Sequence, residues 1–250
     1  MSGENETFAA AREQNIESLG ADSDLRSLSR NWQVEAARHN YIYNFSWLGR
    51  PIIQLPQDVF AMQELIWSIQ PDLIIETGIA HGGSLIFSAS MLELNAVCGG
   101  PADAAVLGID IDIRAHNREA IEAHPMFKRI SMIQGSSIAP EIIEQVKTRA
   151  AGKQRVIVCL DSNHTHDHVL AELKAYAPLT SVGSYCVVFD TAIEEVPAGM
   201  SADRPWGPDN NPKTAVWEFL KTTDRFEIDQ GISNKLLITV APDGYLKCIK

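Results

Sequence analysis

Several features of specialised proteins are missing from this sequence. Its four cysteines form no CxxC pair, so nothing indicates a structural zinc site or a paired redox motif. No stretch approaches the roughly 20 apolar residues of a membrane span. The first residues, MSGENETFAAAREQN, contain no apolar signal-peptide core. We therefore expect a cytoplasmic protein without a membrane span.

Basic residues are also scarce. The 250 residues include 21 lysines and arginines against 32 aspartates and glutamates, which gives a net charge of −11. An excess of negative charge argues against nucleic acid or an anionic membrane as the main partner. The hydrophobic fraction of 45% is enough to bury a substantial core. Length and composition together predict one α/β domain with an appendage.

Short apolar runs alternate with helical patterns over most of the chain. Seven runs are predicted as strands: Leu73–Glu76, Ala105–Asp110, Ile130–Gln134, Val156–Leu160, Tyr185–Phe189, Leu236–Val240 and Tyr245–Ile249. The last two flank Pro242-Asp243-Gly244, which is a hairpin signal. This order predicts a Rossmann-like α/β fold of the class I methyltransferase type. Its sheet would be mostly parallel and seven-stranded, with a C-terminal antiparallel hairpin and helices on both faces.

The predicted catalytic domain covers residues 58–250, and residues 1–57 form a separate N-terminal segment. The domain would begin with a helix over residues 58–70, for which Asp58 is the expected N-cap. The polar start of the chain predicts a partly helical arm that packs on a second copy, giving a homo-oligomer. Residues 31–57 are rich in aromatic side chains. They could wall a substrate pocket, or they could seal the sheet edge as a hydrophobic clamp.

The segment between the first predicted strand and the next helix predicts a nucleotide-like ligand. Small residues at Gly78, Ala80 and Gly82 let a ligand approach the backbone, and Ser84 begins the helix with free N–H groups. Glu76 ends the strand, and its carboxylate would repel a pyrophosphate but suits a cationic ligand. S-adenosylmethionine is therefore the first candidate, and a glycine-rich turn with a capping glutamate is the alternative.

Two further strand ends fit the rest of this ligand. Asp110 follows the second strand, where an acid could bind the ribose hydroxyls by charge-assisted hydrogen bonds. Asp112 competes for that role, since one of the two acids could instead pair with Arg114. Ser136 and Ser137 follow the third strand and could contact the adenine, although either could also be an N-cap for the next helix.

The fourth and fifth strand ends carry the clearest catalytic pattern. Asp161 is followed three residues later by His164, and a neutral imidazole can take a proton from an attacking hydroxyl near neutral pH. Asp190 could join Asp161 as a ligand of Mg²⁺, or it could cap the following loop. A zinc site formed by His164, His166 and His168 is disfavoured, because alternating residues cannot share one helix face. Loop 197–213 resembles a lid, in which Arg204 and Trp206 could bind an acidic or sugar substrate.

An ordered set of stretches resembles the cephalosporin hydroxylase family, over roughly residues 40–250. The matching stretches are Trp47–Gly49 with Pro51–Gln54, Pro71–Ser84, Gly108–Arg118, Leu160–His168 and Val187–Thr191. The resemblance implies a class I methyltransferase fold and, by analogy with rhamnosyl and sugar O-methyltransferases in the family, methyl transfer to a sugar. In related macrolide-sugar enzymes an Asp-x-x-His motif supplies a Mg²⁺ ligand and a general base, a spacing that Asp161 and His164 match. Related magnesium-dependent members have Glu-Asp where this chain has Phe189-Asp190, which removes one ligand.

The expected activity is S-adenosylmethionine-dependent O-methylation of a sugar or glycosylated natural product, with S-adenosylmethionine as cofactor and Mg²⁺ as the candidate metal. Transfer would be in line with His164 as general base, in polysaccharide or antibiotic biosynthesis. Two alternatives remain. One is an oxygenase component of β-lactam tailoring, although no second histidine ligand is identifiable beside Asp161 and His164. The other is a binding module without turnover.

Overall fold

A computed structural model describes residues 3–250. The helices are α1 Gly3–Ala21, α2 Ser23–Ala37, α3 Pro56–Ile69, α4 Gly83–Val97, α5 Ala115–Glu122, α6 Pro140–Ala150, α7 His166–Tyr176, α8 Pro212–Leu220 and α9 Gln230–Leu236. The strands are β1 Phe45–Trp47, β2 Arg50–Ile52, β3 Leu73–Thr77, β4 Ala105–Asp110, β5 Ile130–Gln134, β6 Val156–Leu160, β7 Tyr185–Val188, β8 Phe226–Ile228 and β9 Tyr245–Cys248. Among these residues, no helix is both long enough and apolar enough to cross a membrane.

Seven strands form one sheet in the order β5-β4-β3-β6-β7-β9-β8. The five strands from β3 to β7 run parallel, and β9 pairs antiparallel with both β7 and β8. The chain leaves β3 toward β4 on one side and returns to β6 on the other, so the crevice for a ligand lies at the carboxyl ends of these strands. The predicted class I methyltransferase fold is confirmed.

The parallel strands β3, β6 and β7 are buried at every position, as expected of central strands covered on both faces. Alternate side chains enter two separate cores because a strand points successive residues to opposite faces. Ile74 packs with α3 and α4 on one face, whereas Ile75 packs with α6, α7 and α8 on the other. Cys159 and Cys186 are buried among these residues. Helices therefore cover both faces and leave the strand ends open.

Two sequence predictions at the edges of the domain are wrong. The antiparallel partner of β9 is β8, and residues 236–240 are not a strand. In that segment the Val240 N–H bonds to the Asp58 carboxylate, so its backbone is satisfied outside a ladder. Asp58 is likewise not an N-cap, because α3 begins at Pro56 after Leu55. Its buried carboxylate instead accepts hydrogen bonds from Thr239 and Tyr245, which ties α3 to the C-terminal segment.

The N-terminal segment covers the carboxyl edge of the sheet. The short hairpin β1–β2 lies directly over the start of α4, where a Cβ at Gly83 would come within 2.2 Å of the Pro51 carbonyl oxygen. Trp47 donates its indole N–H to Ser90 over 2.9 Å and packs edge-on against Phe87. This part of the aromatic segment acts as the clamp that the sequence allowed as one of two interpretations.

Candidate active site

The loop between β3 and α4 is held in place by the strand beside it. Gly78 has φ +91°, and a Cβ there would lie 1.9 Å from the Asp161 carbonyl oxygen. Only glycine fits this position, because both the conformation and the contact exclude a side chain. The small residue that suggested ligand approach is therefore also required for β3 and β6 to meet. At Gly82 a Cβ would collide with the Ile121 side chain, so packing within the protein also favours glycine at this position.

Asp110 fixes the same loop from the neighbouring strand. Its Oδ2 accepts hydrogen bonds from the backbone N–H groups of Ile79 and Ala80 at 2.8 and 3.3 Å. Its Oδ1 accepts the N–H of Asp112, whose own side chain is exposed. The carboxylate still has free lone pairs for a hydroxyl, since each oxygen can accept two bonds. Of the two acids considered for the ribose hydroxyls, Asp110 contacts the loop, whereas the Asp112 side chain is exposed outside it.

Arg50 and Asn117 also hold this loop, and no motif in the sequence singles out either residue. The Arg50 guanidinium donates to the His81 carbonyl at 2.6 and 3.0 Å and to Asn117 Oδ1 at 3.1 Å. Asn117 in turn donates to the Ala80 carbonyl over 2.9 Å. The hydrogen bond between Arg50 of β2 and Asn117 of α5 forms only because the fold brings both residues to the same loop.

A cavity of about 260 Å³ lies at the carboxyl ends of β3, β6 and β7. Its lining includes the loop residues Glu76, Gly78, Ala80 and Ser84 and the polar residues Asp161, His164 and Asp190. Ile42, Tyr43 and residues 51–54 form another part of the wall. The aromatic segment therefore acts both as a clamp and as a pocket wall, through different residues. Gly82, Asp110, Ser136 and Ser137 do not line this cavity.

Asp161, His164 and Asp190 converge at one end of the cavity. His164 Nε2 lies 3.4 Å from Asp161 Oδ1 and 3.1 Å from Asp190 Oδ2. One ligand atom from each of the three residues falls within 4.8 Å of the others, a spacing that could hold a metal ion. Asp190 has φ +56° and makes no side-chain capping bond, so its carboxylate is directed to this cluster and not to the following loop.

The two carboxylates control the charge of the imidazole. Burial opposes a charge on His164, but the negative charge of Asp190 and the hydrogen bond to Asp161 outweigh it and raise the pKa of His164. Burial also raises the pKa of Asp161, only partly offset by His164. The negative charge around the imidazole and its raised pKa favour the imidazolium form at neutral pH. The imidazole becomes a base when this negative charge is compensated.

Glu76 is buried under the loop, with only 4% of its surface exposed. Burial raises the pKa of its carboxyl to about 8, even though the Ser84 hydroxyl donates a hydrogen bond to it. A buried carboxylate of this kind is costly unless a cation or further donors face it. The site is consequently suited to a ligand that brings positive charge to Glu76.

Ser136 and Ser137 are not N-caps of α6, whose cap position is Ala139. The Ser137 hydroxyl lies 3.0 Å from His168 Nε2, and His168 lies 3.2 Å from the Ser162 hydroxyl. Ser162 also donates to the fully buried Glu172 over 2.7 Å. These contacts join the end of β5 to the end of β6. His168 is thus engaged in a hydrogen-bond network apart from His164.

His166 lies in a different place again, against Thr214 and Glu218 of α8. The three alternating histidines therefore do not converge on one metal. The cluster that does form has two carboxylates and one imidazole. This differs from the two histidines and one carboxylate of the non-haem iron oxygenases, which removes structural support for the oxygenase interpretation.

Loop 197–213 brings Trp206 to the catalytic cluster. The Trp206 ring lies 4.9 Å from the His164 ring, centroid to centroid, and the Arg204 guanidinium carbon lies 5.5 Å from the Trp206 centroid. The next two acids in the sequence after Asp190, Glu194 and Glu195, bind other partners. Glu194 accepts from Asn211 and from the Asp209 N–H. Glu195 binds Lys213 at 2.5 Å and Arg30 at 3.1 Å.

Known proteins are similar to this chain in sequence. The family model described as Rhamnosyl O-methyltransferase/CmcI matches residues 39–249. The rhamnosyl O-methyltransferase of Mycobacterium tuberculosis is 32% identical over 195 residues, covering 76% of this chain and 72% of that protein. The protein of the same description from Mycobacterium leprae is 32% identical over 162 residues, covering 63% of this chain and 66% of that protein.

Solved structures share the fold at lower identity. A CmcI structure with Mg and SAM has a TM-score of 0.58 and 19% identity, over 83% of this chain and 78% of that one. An O-methyltransferase from Bacillus cereus in complex with SAH has a TM-score of 0.51 and 16% identity, over 89% and 90% of the two chains. Because the family match spans most of the sequence, the chain belongs to the Rhamnosyl O-methyltransferase/CmcI family and is an S-adenosylmethionine-dependent O-methyltransferase.

Proposed function

We propose that this enzyme methylates a hydroxyl of a sugar or of a glycosylated small molecule, with His164 as the general base. The observation that carries the proposal is that one cavity joins the Glu76–Ser84 loop to the cluster of Asp161, His164 and Asp190. A methyl donor held by the loop and a hydroxyl beside the imidazole would lie next to each other. Alignment of this kind can contribute up to about 7–11 kcal/mol to catalysis.

The loop and the strand ends beside it would hold S-adenosylmethionine, which supplies the methyl group. Glu76 would face its positively charged part, and Gly78, Ala80, Gly82 and Ser84 would let it approach the backbone. Asp110 keeps free lone pairs for the ribose hydroxyls. Ser136 and Ser137 would lie along the adenine, outside the main cavity. Asp161 would border the reacting methyl group from the fourth strand end.

The donor atoms of Asp161, His164 and Asp190 suit a hard divalent cation, since carboxylate oxygens are the ligands that Mg²⁺ prefers. We propose Asp161 and Asp190 as the ligands, although Phe189 contributes none. A Mg²⁺ ion there would supply positive charge that lowers the pKa of an acceptor hydroxyl. The same compensation would bring the pKa of His164 back toward its ordinary value. His164 Nε2 could then take the hydroxyl proton.

The acceptor class is supported by the relatives and by an aromatic side chain beside His164. Relatives of more than 30% identity are named rhamnosyl O-methyltransferases. Trp206 offers an aromatic face beside His164, and aromatic faces combine a large apolar surface with fixed geometry. We further propose that the enzyme works in the cytoplasm as a homo-oligomer. In this proposal residues 1–57 form the arm and substrate segment, and residues 58–250 form the methyltransferase domain.

The test is a methyl-transfer assay with S-adenosylmethionine and a panel of rhamnosides, followed by mass spectrometry of the sugar. We expect transfer to a rhamnosyl hydroxyl and formation of S-adenosylhomocysteine. Calorimetry that detects no binding of S-adenosylhomocysteine would refute the proposed cofactor site. Binding without transfer to any glycoside would favour the non-catalytic module instead.

A further inference from the structure

A second cavity, of about 180 Å³, lies beside the candidate active site and has an almost entirely apolar lining. Its walls come from α2, from the turn at residues 40–43 and from residues 192–196, with Leu55 and Val240 at its base. Because α2 ends before residue 39, where the family match begins, much of this wall comes from outside the region shared with the family. We call it the α2 pocket.

The α2 pocket is kept open by fixed contacts around it. Trp32 meets Tyr41 edge-on at 5.1 Å between ring centroids, which fixes one aromatic wall. Gln33 donates to the Thr239 carbonyl over 2.7 Å, and Arg30 binds Glu195 at 3.1 Å. These polar contacts hold α2 against the rest of the protein on the same side as the cavity. Ala36, half-buried in the wall, leaves space where a larger side chain would fill it.

The α2 pocket adjoins the active-site cavity. Ile42, Tyr43 and Val240 line both of them. Ala192, also in the wall of the α2 pocket, follows Asp190 by two residues, and two residues of chain span at most about 7 Å. A sugar beside His164 would therefore lie next to the α2 pocket.

Size and charge define what that other group is. An apolar cavity of about 150 Å³ binds a molecule of the size of benzene, so 180 Å³ accommodates one ring or a short alkyl chain. The charges at the rim, Arg30 and Glu195, neutralise each other. Because Arg30 is already paired, this ion pair offers no unpaired cation to a phosphate or a nucleotide. Burial of the negative charge of such a ligand against an apolar wall would also be costly. The chemistry matches an uncharged apolar substituent.

We propose that the α2 pocket is a second acceptor subsite, which binds an apolar ring or short alkyl group attached to the methylated sugar. This inference rests on the proposed function, because it assumes that the sugar lies beside His164. It makes the preferred acceptor a glycoside with an apolar aglycone, and it assigns recognition of that aglycone to α2.

The experiment compares two acceptors, 4-nitrophenyl α-L-rhamnopyranoside and methyl α-L-rhamnopyranoside. Calorimetry with S-adenosylhomocysteine present measures the affinity of each, and a separate assay measures methyl transfer. We expect the native enzyme to bind the aryl glycoside at least about tenfold more tightly, because burial of one apolar ring contributes more than 1.4 kcal/mol. Ala36→Phe should abolish this preference by filling the α2 pocket, and Trp32→Ala should reduce it by removing a wall.

The matched control is Ala10→Phe, the same change on an exposed position of α1. It should retain the preference, and unchanged affinity for S-adenosylhomocysteine shows that each variant is folded. Equal affinity of the native enzyme for the two glycosides, no binding of either, or a preference that survives Ala36→Phe would overturn the subsite. Methyl transfer without an aryl preference would leave the proposed function standing. An aryl preference that Ala36→Phe abolishes, without methyl transfer, would support the subsite and overturn the proposed function.

Discussion

Glu76→Gln removes one ionisable carboxyl from the base of the cofactor loop and keeps nearly the same shape. The native carboxyl is buried, and burial raises its pKa from 4.5 to about 8. Between these values the folded protein keeps the proton and the unfolded chain loses it. The unfolded state therefore binds fewer protons, and the free energy of unfolding falls as the pH rises from 4.5 to 8. Glutamine cannot ionise, so the variant loses this dependence.

The magnitude follows from the size of the pKa shift. At 1.36 kcal/mol per pKa unit, a shift of this size corresponds to about 5 kcal/mol across the whole interval. We therefore expect Glu76→Gln to gain stability relative to the native protein by several kcal/mol between pH 5 and pH 8. The gain should level off above the pKa of about 8. Groups that titrate over this range without interacting with Glu76 contribute equally to both proteins and cancel in the difference; Asp161, whose charge acts on Glu76, is the exception.

Urea unfolding at several pH values measures this difference, with Glu144→Gln as the control on the exposed face of α6. Calorimetry of S-adenosylmethionine binding in two buffers of different ionisation heat tests the same carboxyl from the ligand side. If the cationic ligand ionises Glu76, the native protein should release about 0.9 of a proton per site at pH 7, given its pKa of about 8. Glu76→Gln should release none and bind more weakly.

A stability difference between Glu76→Gln and the native protein that stays constant from pH 5 to pH 8 would refute this reasoning. It would mean that the carboxyl titrates near its ordinary value in spite of its burial. Proton release that persists in Glu76→Gln would mean that another group responds to the ligand.

Three further predictions follow from the site. Gly78→Ala should lower the free energy of unfolding by more than about 2 kcal/mol beyond the loss caused by Gly99→Ala, as measured by urea unfolding. Both glycines have positive φ, but only a Cβ at Gly78 would meet the Asp161 backbone. His164→Gln should lower kcat for methyl transfer by about 10²–10⁴-fold with the affinity for S-adenosylhomocysteine unchanged, whereas full activity would exclude it as the base. Chelation should abolish methyl transfer until Mg²⁺ is returned, and Asp190→Asn should raise the Mg²⁺ concentration required. Transfer that is unaffected by exhaustive chelation would exclude Asp190 as a metal ligand.

The sequence predicted the parallel part of the fold well, because its signals are local. The run Val156–Leu160 is apolar at every position and has the predicted bounds, as a strand buried on both faces must. The pair of antiparallel strands at the C-terminus was harder to predict. The strand Phe226–Ile228 is short, whereas residues 236–240 are as apolar as a strand but are bound by the distant Asp58. No local pattern could reveal that a side chain far away in sequence would satisfy this backbone.

In the candidate site, too, some residues could be predicted from local patterns and others could not. Glu76, Asp110, Asp161 and Asp190 could be singled out because the carboxyl ends of parallel strands meet at one edge, so a strand pattern predicts which acids come together. Arg50, Asn117 and Glu172 could not, because each acts from another element on a loop or strand end that lies beside it only after folding.

The sequence by itself determined the order of the parallel strands, the glycine-rich loop and the residues at the strand ends, because each depends on neighbours within a few positions. The tertiary structure decided what these residues do to one another. It placed Asp190 and Asp161 beside Nε2 of His164 and so raised the pKa of the imidazole, and it buried Glu76. It also set α2 beside the active site. Charge and burial depend on distances in space, and only the packed sheet sets those distances.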